Sequence, residues 1–165
     1  MTDYKNKATE LSQELMFLFN SGENYKSYNI LGAHVFDDGC CFSVWAPNAK
    51  SVSVVCDRNG WDRTKNPMEK YPQTGIWKCF VYDVGYGENY KFSIETSNGD
   101  IILKSDPFAC FSQVRPETAS CTADMNYRWS DGQWMKKREK TAPYDQPMNI
   151  YELHFGSWMR TEDGE

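Results

Sequence analysis

Four features of the sequence carry residue types that do chemistry, and each points to a different kind. Glu152 and His154 stand two residues apart, so on an extended strand they share one face and form a general base with its orienting partner. The plainer reading of the pair is a strand whose inward groups pack and bond to one another. Trp61 follows Asn59-Gly60 directly after an alternating apolar stretch. A large ring on such a turn is hard to bury and easy to present. Sugar rings offer an apolar C–H face edged with hydroxyls, so flat aromatic platforms with polar rims suit them. Lys91 lies between Tyr90 and Phe92, and strand alternation sends it to the face away from the core. His34, beside Gly32 in what reads as a loop, suits a hydrogen bond, since one isolated histidine makes no metal site. Cys40, Cys56 and Cys79 fall in phase with apolar neighbours, the pattern of reduced, buried thiols. A disulfide framework among Cys40, Cys41, Cys56, Cys79, Cys110 and Cys121 is the alternative. No C-x-x-C spacing occurs, so neither a metal nor a cofactor is expected.

The elements that must position these groups follow from periodicity. Leu11, Leu15, Leu18 and Phe19 recur at helical spacing from about Lys7 to Asn20, with Asn20, Ser21 and Gly22 as the stop. From Cys40 the period becomes two: Phe42 and Val44, then Val52, Val54 and Cys56, then Trp77, Cys79 and Val81, then Tyr90, Phe92 and Ile94. Asn98-Gly99 predicts a type I′ hairpin turn pairing 90–96 with 101–104. Trp77 shares the inward phase, and Trp45, ending a strand before Pro47, either packs on the adjoining domain, the favoured reading, or lines a sugar groove. Several short strands at this spacing make an all-β fold, a β-sandwich. After Pro116 the chain turns polar and carries a basic run, Lys136 to Lys140, which reads as a solvated helix face or linker. Residues 148–155 alternate again, with no later segment to pair with.

Composition narrows the classes further. The 165 residues carry 18 basic against 23 acidic side chains, a net charge of −5. That balance disfavours nucleic acid as a partner. No run approaches the roughly 18 apolar residues of a spanning helix, so no membrane partner is expected and the chain reads as cytoplasmic. The length falls short of the about 250 residues of a (β/α)8 barrel.

Three stretches together resemble the start of the bacterial glycogen branching enzymes. They are Asn24-Tyr25-Lys26-Ser27-Tyr28-Asn29-Ile30-Leu31-Gly32-Ala33-His34, Phe42-Ser43-Val44-Trp45-Ala46-Pro47-Asn48-Ala49 and Asp57-Arg58-Asn59-Gly60-Trp61. Pro147-Met148-Asn149-Ile150-Tyr151-Glu152-Leu153-His154-Phe155-Gly156-Ser157-Trp158 resembles the segment with which that family's catalytic barrel begins. The middle motifs are shared with the wider group of family 48 carbohydrate-binding modules.

The resemblance implies an immunoglobulin-like sandwich and a domain plan: a lead-in helix over 1–24, a carbohydrate-binding module over 25–122, a linker over 123–147 and the opening of a barrel over 148–165. It implies an α-glucan such as glycogen or a maltooligosaccharide as ligand, and the barrel as partner. Trp61 would stack on a glucose ring, Lys91 would donate to its hydroxyls, and Thr118 falls where such modules use a hydroxyl. Ile101 stands where they carry a second stacking tryptophan. The complete enzyme would move α-1,4-glucan segments to 6-hydroxyls, a retaining reaction needing two carboxyl groups about 5 Å apart. No position here matches the family's catalytic motifs, so no catalytic residue is assigned and the chain alone is expected to be inactive. A free glycogen-targeting module and a spacer without sugar affinity are the alternatives.

Overall fold

The computed structural model describes residues 11–145 and 147–159. Lys7 to Glu10, expected to open the first helix, lie outside them. The chain divides after Met125 into two compact units.

The first unit is built from alternation. Helix α1 (Gln13–Ser21) starts where the Ser12 hydroxyl accepts the Leu15 amide at 3.1 Å, an N-cap. It stops at Gly22, whose φ of 76° suits a left-handed cap. Nine strands follow: β1 (Gly32–Phe36), β2 (Gly39–Trp45), β3 (Ser51–Cys56), β4 (Glu69–Lys70), β5 (Ile76–Tyr82), β6 (Asn89–Glu95), β7 (Ile101–Lys104), β8 (Phe111–Ser112) and β9 (Ser120–Cys121). They form two antiparallel sheets, one in the order β1-β2-β5-β4 and the other β3-β6-β9-β8 with β7 also against β6. The expected all-β sandwich is therefore the observed fold.

Two apolar clusters hold it. Between the sheets lie Cys40, Phe42, Val52, Val54, Cys56, Trp77, Val81, Tyr90 and Phe92, the inward phase read from the sequence. Each fully buried large side chain here contributes about 1.5–3 kcal/mol. Trp77 belongs to this core, and its indole N–H donates to the Ala46 carbonyl at 2.8 Å. The second cluster, Leu11, Ile30, Leu31 and Ile76 with Leu15, Met16 and Phe19 packed on it, lies on the other face of β5 and seats α1 there.

Two local expectations are corrected. His34 is in β1, paired opposite Cys41, because Ala33 and Val35 pack on the core and extend the sheet one strand earlier than the periodicity indicated. Its Nε2 lies 3.2 Å from the Leu31 carbonyl oxygen, the hydrogen-bonding role expected of it. The Asn98-Gly99 hairpin forms, but not through a type I′ turn: Gly99 has φ of 90° and Asn98 is not among the residues with positive φ. The Gly99 amide donates to Thr96 and the Thr96 amide to Asp100, so the loop is Ser97-Asn98-Gly99, a turn followed by a glycine bulge. All six cysteines are free thiols.

In the second unit, α2 (Gly132–Glu139) carries the basic run on a fully exposed helix, and α3 spans Phe155–Trp158. Residues 148–154 take no strand assignment. A strand is defined by its ladder partners, and alternation alone supplies none.

Candidate functional site

Trp61 owes its position to Asn59. That side chain is buried, accepts the Cys56 amide at 3.0 Å and donates to the Val54 carbonyl at 2.9 Å. It thereby folds the chain back onto the end of β3. Gly60 (φ 68°) and Trp61 (φ 61°) both take the left-handed region, which costs a side chain-bearing residue about 1–2 kcal/mol. The Trp61 amide donates to the Cys56 carbonyl at 3.0 Å, and the indole N–H donates to Asp57 Oδ1 at 2.8 Å. Asp57 Oδ2 in turn accepts the Asn89 side-chain amide at 2.8 Å. The ring is thus pinned at both ends of its side chain yet remains 38% exposed.

Strand register brings Lys91 to the same end of the sheet. Cys56 pairs with Tyr90 and Val55 with Lys91, so the backbone that holds Trp61 neighbours the residue before Lys91. Lys91 faces away from the core cluster that contains Tyr90 and Phe92. Its Nζ donates to the Thr118 hydroxyl at 2.7 Å, and the Ser105 hydroxyl donates to the Thr118 carbonyl. Thr118 lies on a depression of about 380 Å3 that Gln113, Arg115 and Ser105 also line. Two of the three site residues named from the sequence are therefore in direct contact, and the third is on an adjoining loop.

Ile101 pairs with Glu95, so it shares the outward face of Lys91, four residues further along β6. It is 45% exposed and offers an aliphatic surface rather than a ring. Glu95 beside it is held by Lys50 at 2.8 Å and by the Ser51 hydroxyl at 2.7 Å, and these donors keep its carboxyl below the usual range.

Asp57, Asn89 and Ser105 were not singled out in the sequence, though Asp57, four residues before Trp61, is close enough to meet its indole. At the other sequence-predicted pair, His154 Nδ1 lies 2.7 Å from the Ser157 hydroxyl, and no bond joins it to Glu152 among the described residues. Among the described residues no group of three or more His, Cys, Asp or Glu side chains is placed to hold a metal. No described helix is long and apolar enough to cross a membrane.

An exposed, pinned indole and a lysine–threonine pair thus both lie on the outside of the sandwich. Residues 30–109 match the family model of carbohydrate-binding module 48, the isoamylase N-terminal domain. The sandwich belongs to the carbohydrate-binding module 48 family. The module and its flanks are 47% identical over 151 residues to a 1,4-alpha-glucan branching enzyme GlgB of Bacillus cereus, and 46% over 159 residues to that of Desulfitobacterium hafniense. These matches cover 88% and 93% of this chain but 23% and 25% of the relatives. The chain thus spans about a quarter of their length. Among solved structures the module is similar to the PulA protein of Klebsiella oxytoca, with 25% identity and a TM-score of 0.50, covering 59% of this chain and 10% of that one. A Klebsiella pneumoniae pullulanase complexed with maltotriose shares the fold at 24% identity and a TM-score of 0.50, over 59% of this chain and 10% of that one.

Proposed function

We propose that the module holds an α-glucan chain at Trp61, Lys91 and Thr118, and does so for a glycogen branching enzyme whose catalytic barrel lies in the rest of the protein. The complete protein then transfers α-1,4-glucan segments to 6-hydroxyls in the cytoplasm, and the module raises the local concentration of acceptor and donor chains. The observation that carries this reading is the Trp61 ring, fixed by Asp57 and left open to solvent. A glucose C–H face stacks on that ring, and Lys91 with Thr118 supplies a donor and an acceptor for hydroxyls at its edge. Branching enzymes share nearly half of this chain's residues, which supports the enzymatic context.

One platform and one hydrogen-bonding pair give binding of roughly millimolar strength, about −4 kcal/mol. Affinity electrophoresis in glycogen-containing gels tests it. The chain is expected to be retarded and Trp61→Ala to migrate as if glycogen were absent. Equal mobility of the parent with and without glycogen would make the module a spacer.

A further inference from the structure

Strand β7 is an edge that the fold leaves open. Among the described residues it pairs with β6 alone, and every one of its residues is exposed. Ile101, Ile102 and Leu103 are 45%, 36% and 53% exposed, consecutive aliphatic side chains on a bare sheet edge. Native sheets cover or blunt such edges, because unpaired N–H and C=O groups template pairing with another chain. The other edges of the sandwich follow that rule. Residues 66–68 cover the free side of β3, where the Val54 amide donates to the Asn66 carbonyl and the Met68 amide to the Val52 carbonyl. Strands β4 and β8 are only two residues long, and β1 is buried or half-buried throughout.

The bonding pattern decides which groups β7 offers. In an antiparallel ladder, residues that bond to the strand on one side alternate with residues whose N–H and C=O point to the other side. The Thr96 amide donates to the Asp100 carbonyl, and the Asp100 amide returns a bond to the Thr96 hydroxyl at 3.2 Å. With that pair closed, the register makes Ile94–Ile102 and Phe92–Lys104 the next hydrogen-bonded pairs. The other side of β6 agrees: the Asp57 amide donates to the Asn89 carbonyl, so Lys91, Ser93 and Glu95 turn their backbone groups to β3. Ile101 and Leu103 therefore direct their N–H and C=O groups to the open edge, flanking Ile102.

A second copy of the same strand, run antiparallel about a twofold axis at Ile102, satisfies these groups. Ile101 then exchanges both backbone bonds with Leu103 of the second copy, and Leu103 does so with Ile101 of the second copy. The two Ile102 side chains meet at the axis as a non-hydrogen-bonded pair, the closer kind. One step further out, Asp100 stands opposite Lys104 of the second copy, and Lys104 opposite its Asp100. Opposite charges directly across a ladder stabilise it, and like charges destabilise it. Asp100 and Lys104 are both exposed, and neither has an ion pair in its own chain among the described residues. An axis at Leu103 would instead set Lys104 against Ile102, and one at Ile101 would set it against Asn98. The run Asp100-Ile101-Ile102-Leu103-Lys104 is complementary to its own reverse in the first register alone of these three.

We propose that two copies of this chain associate through β7, joining their β3-β6-β7 strands into one continuous sheet. Paired residues share a face, so the Lys91 faces of the two copies look the same way. Such pairing does not require that this face hold a glucan. Strands this short bury less than a standard interface, so the dimer should have a Kd on the order of 0.1 mM.

Sedimentation equilibrium of the whole chain in low salt, over about 10 μM to 1 mM, tests this. The parent should pass from monomer to dimer within that range. Asp100→Lys and Lys104→Asp should each weaken association by about tenfold, since each sets like charges opposite one another twice. Mixed in equal amounts, the two variants should associate at the parent's concentration. The introduced lysine then faces the introduced aspartate, and the native Lys104 of one variant faces the native Asp100 of the other. Recovery on mixing also shows that both variants are folded. In the unsubstituted chain, raising the concentration through the midpoint should slow hydrogen exchange of the Ile101 and Leu103 amides by about threefold and leave that of Ile102 unchanged. A parent that stays monomeric to about 1 mM would overturn the proposal. So would a dimer whose Ile101 and Leu103 amides exchange as in the monomer, which places the contact on another surface. Folded, monomeric variants that do not recover on mixing would reject the Ile102-centred pairing.

Discussion

The Asp57 carboxylate accepts the Trp61 indole N–H at 2.8 Å, and through its other oxygen takes the Asn89 amide at 2.8 Å. Asn89 opens β6 and stands two residues before Lys91. A single carboxylate therefore couples the aromatic platform to the strand that carries the hydrogen-bonding lysine. Binding strength depends on such preorganisation, because a ring already fixed loses little freedom when a sugar stacks on it. Asp57→Ala should weaken glycogen binding by about 3–10-fold, the equivalent of one net hydrogen bond, while the Trp61 ring itself is unchanged. Affinity electrophoresis measures the loss, and a shifted Trp61 indole resonance would report the freed ring.

The aliphatic surface at Ile101 makes the opposite prediction. It lies on the Lys91 face and is nearly half exposed, so a larger ring meets no packed neighbour there. Ile101→Trp should tighten maltoheptaose binding by about 2–10-fold, the gain of one aromatic contact of about 0.5–1.5 kcal/mol. Calorimetric titration reads it directly, and unchanged affinity would show that the glucan path does not reach this end of β6.

Tyr90 and Asp106 form a buried pair, with the phenol donating to Asp106 Oδ2 at 2.6 Å. Burial pushes the Asp106 carboxyl up, against the Tyr90 and Phe108 donors that pull it down. Tyr90→Phe removes a donor to a buried carboxylate and should cost about 1–3 kcal/mol at neutral pH. Because the folded-state value of Asp106 lies above its unfolded one, its ionisation opposes folding as pH rises past the ordinary carboxylate range. The penalty of the variant should therefore shrink in acid, where the carboxyl is protonated in both states. Urea unfolding at neutral and acidic pH compares the two.

Lys78 is only 9% exposed in the middle of β5, with Nζ 5.4 Å from the centre of the Tyr71 ring. Burial brings its ammonium down to about 8. The folded chain sheds this proton before the unfolded chain does, a contribution that favours folding as pH rises from about 8, by about 1 kcal/mol over the first unit for Lys78 taken alone. Burial raises the Cys40, Cys56, Cys79 and Cys121 thiols above their ordinary value, so the unfolded chain ionises them first over the same range, and stability falls through the alkaline range. Lys78→Met should make that fall steeper between about 8 and 9, as read from urea midpoints.

The sandwich core was legible because burial on one side of a sheet leaves a period-two trace. Phe42, Val44, Val52, Val54, Tyr90 and Phe92 were read as inward and are inward. His34 reads as a loop residue in the sequence because β1 is short and only Ala33 and Val35 mark its inner face, too few for a period to emerge. The Asn-Gly dipeptide announced its hairpin, but the ladder chose a three-residue loop, since register is set by the paired side chains of β6 and β7 as well as by the turn.

For function, the order of residues by itself determined the family: the motifs from Asn24 to Trp61 mark a family 48 module, and local chemistry marks Trp61 as a candidate platform and sends Lys91 outward. Each of those inferences needs only neighbours in the chain. Contacts between distant segments were decided by the tertiary structure alone. Lys91 reaches Thr118 across 27 positions and Asp57 reaches Asn89 across 32, while Trp45 meets Phe19 of α1 and Thr74 and Gly75 of the β4–β5 turn. No periodicity encodes such meetings. They exist because two twisted sheets and a docked helix, packed to exclude water from the core, carry their outer faces and loops to fixed places.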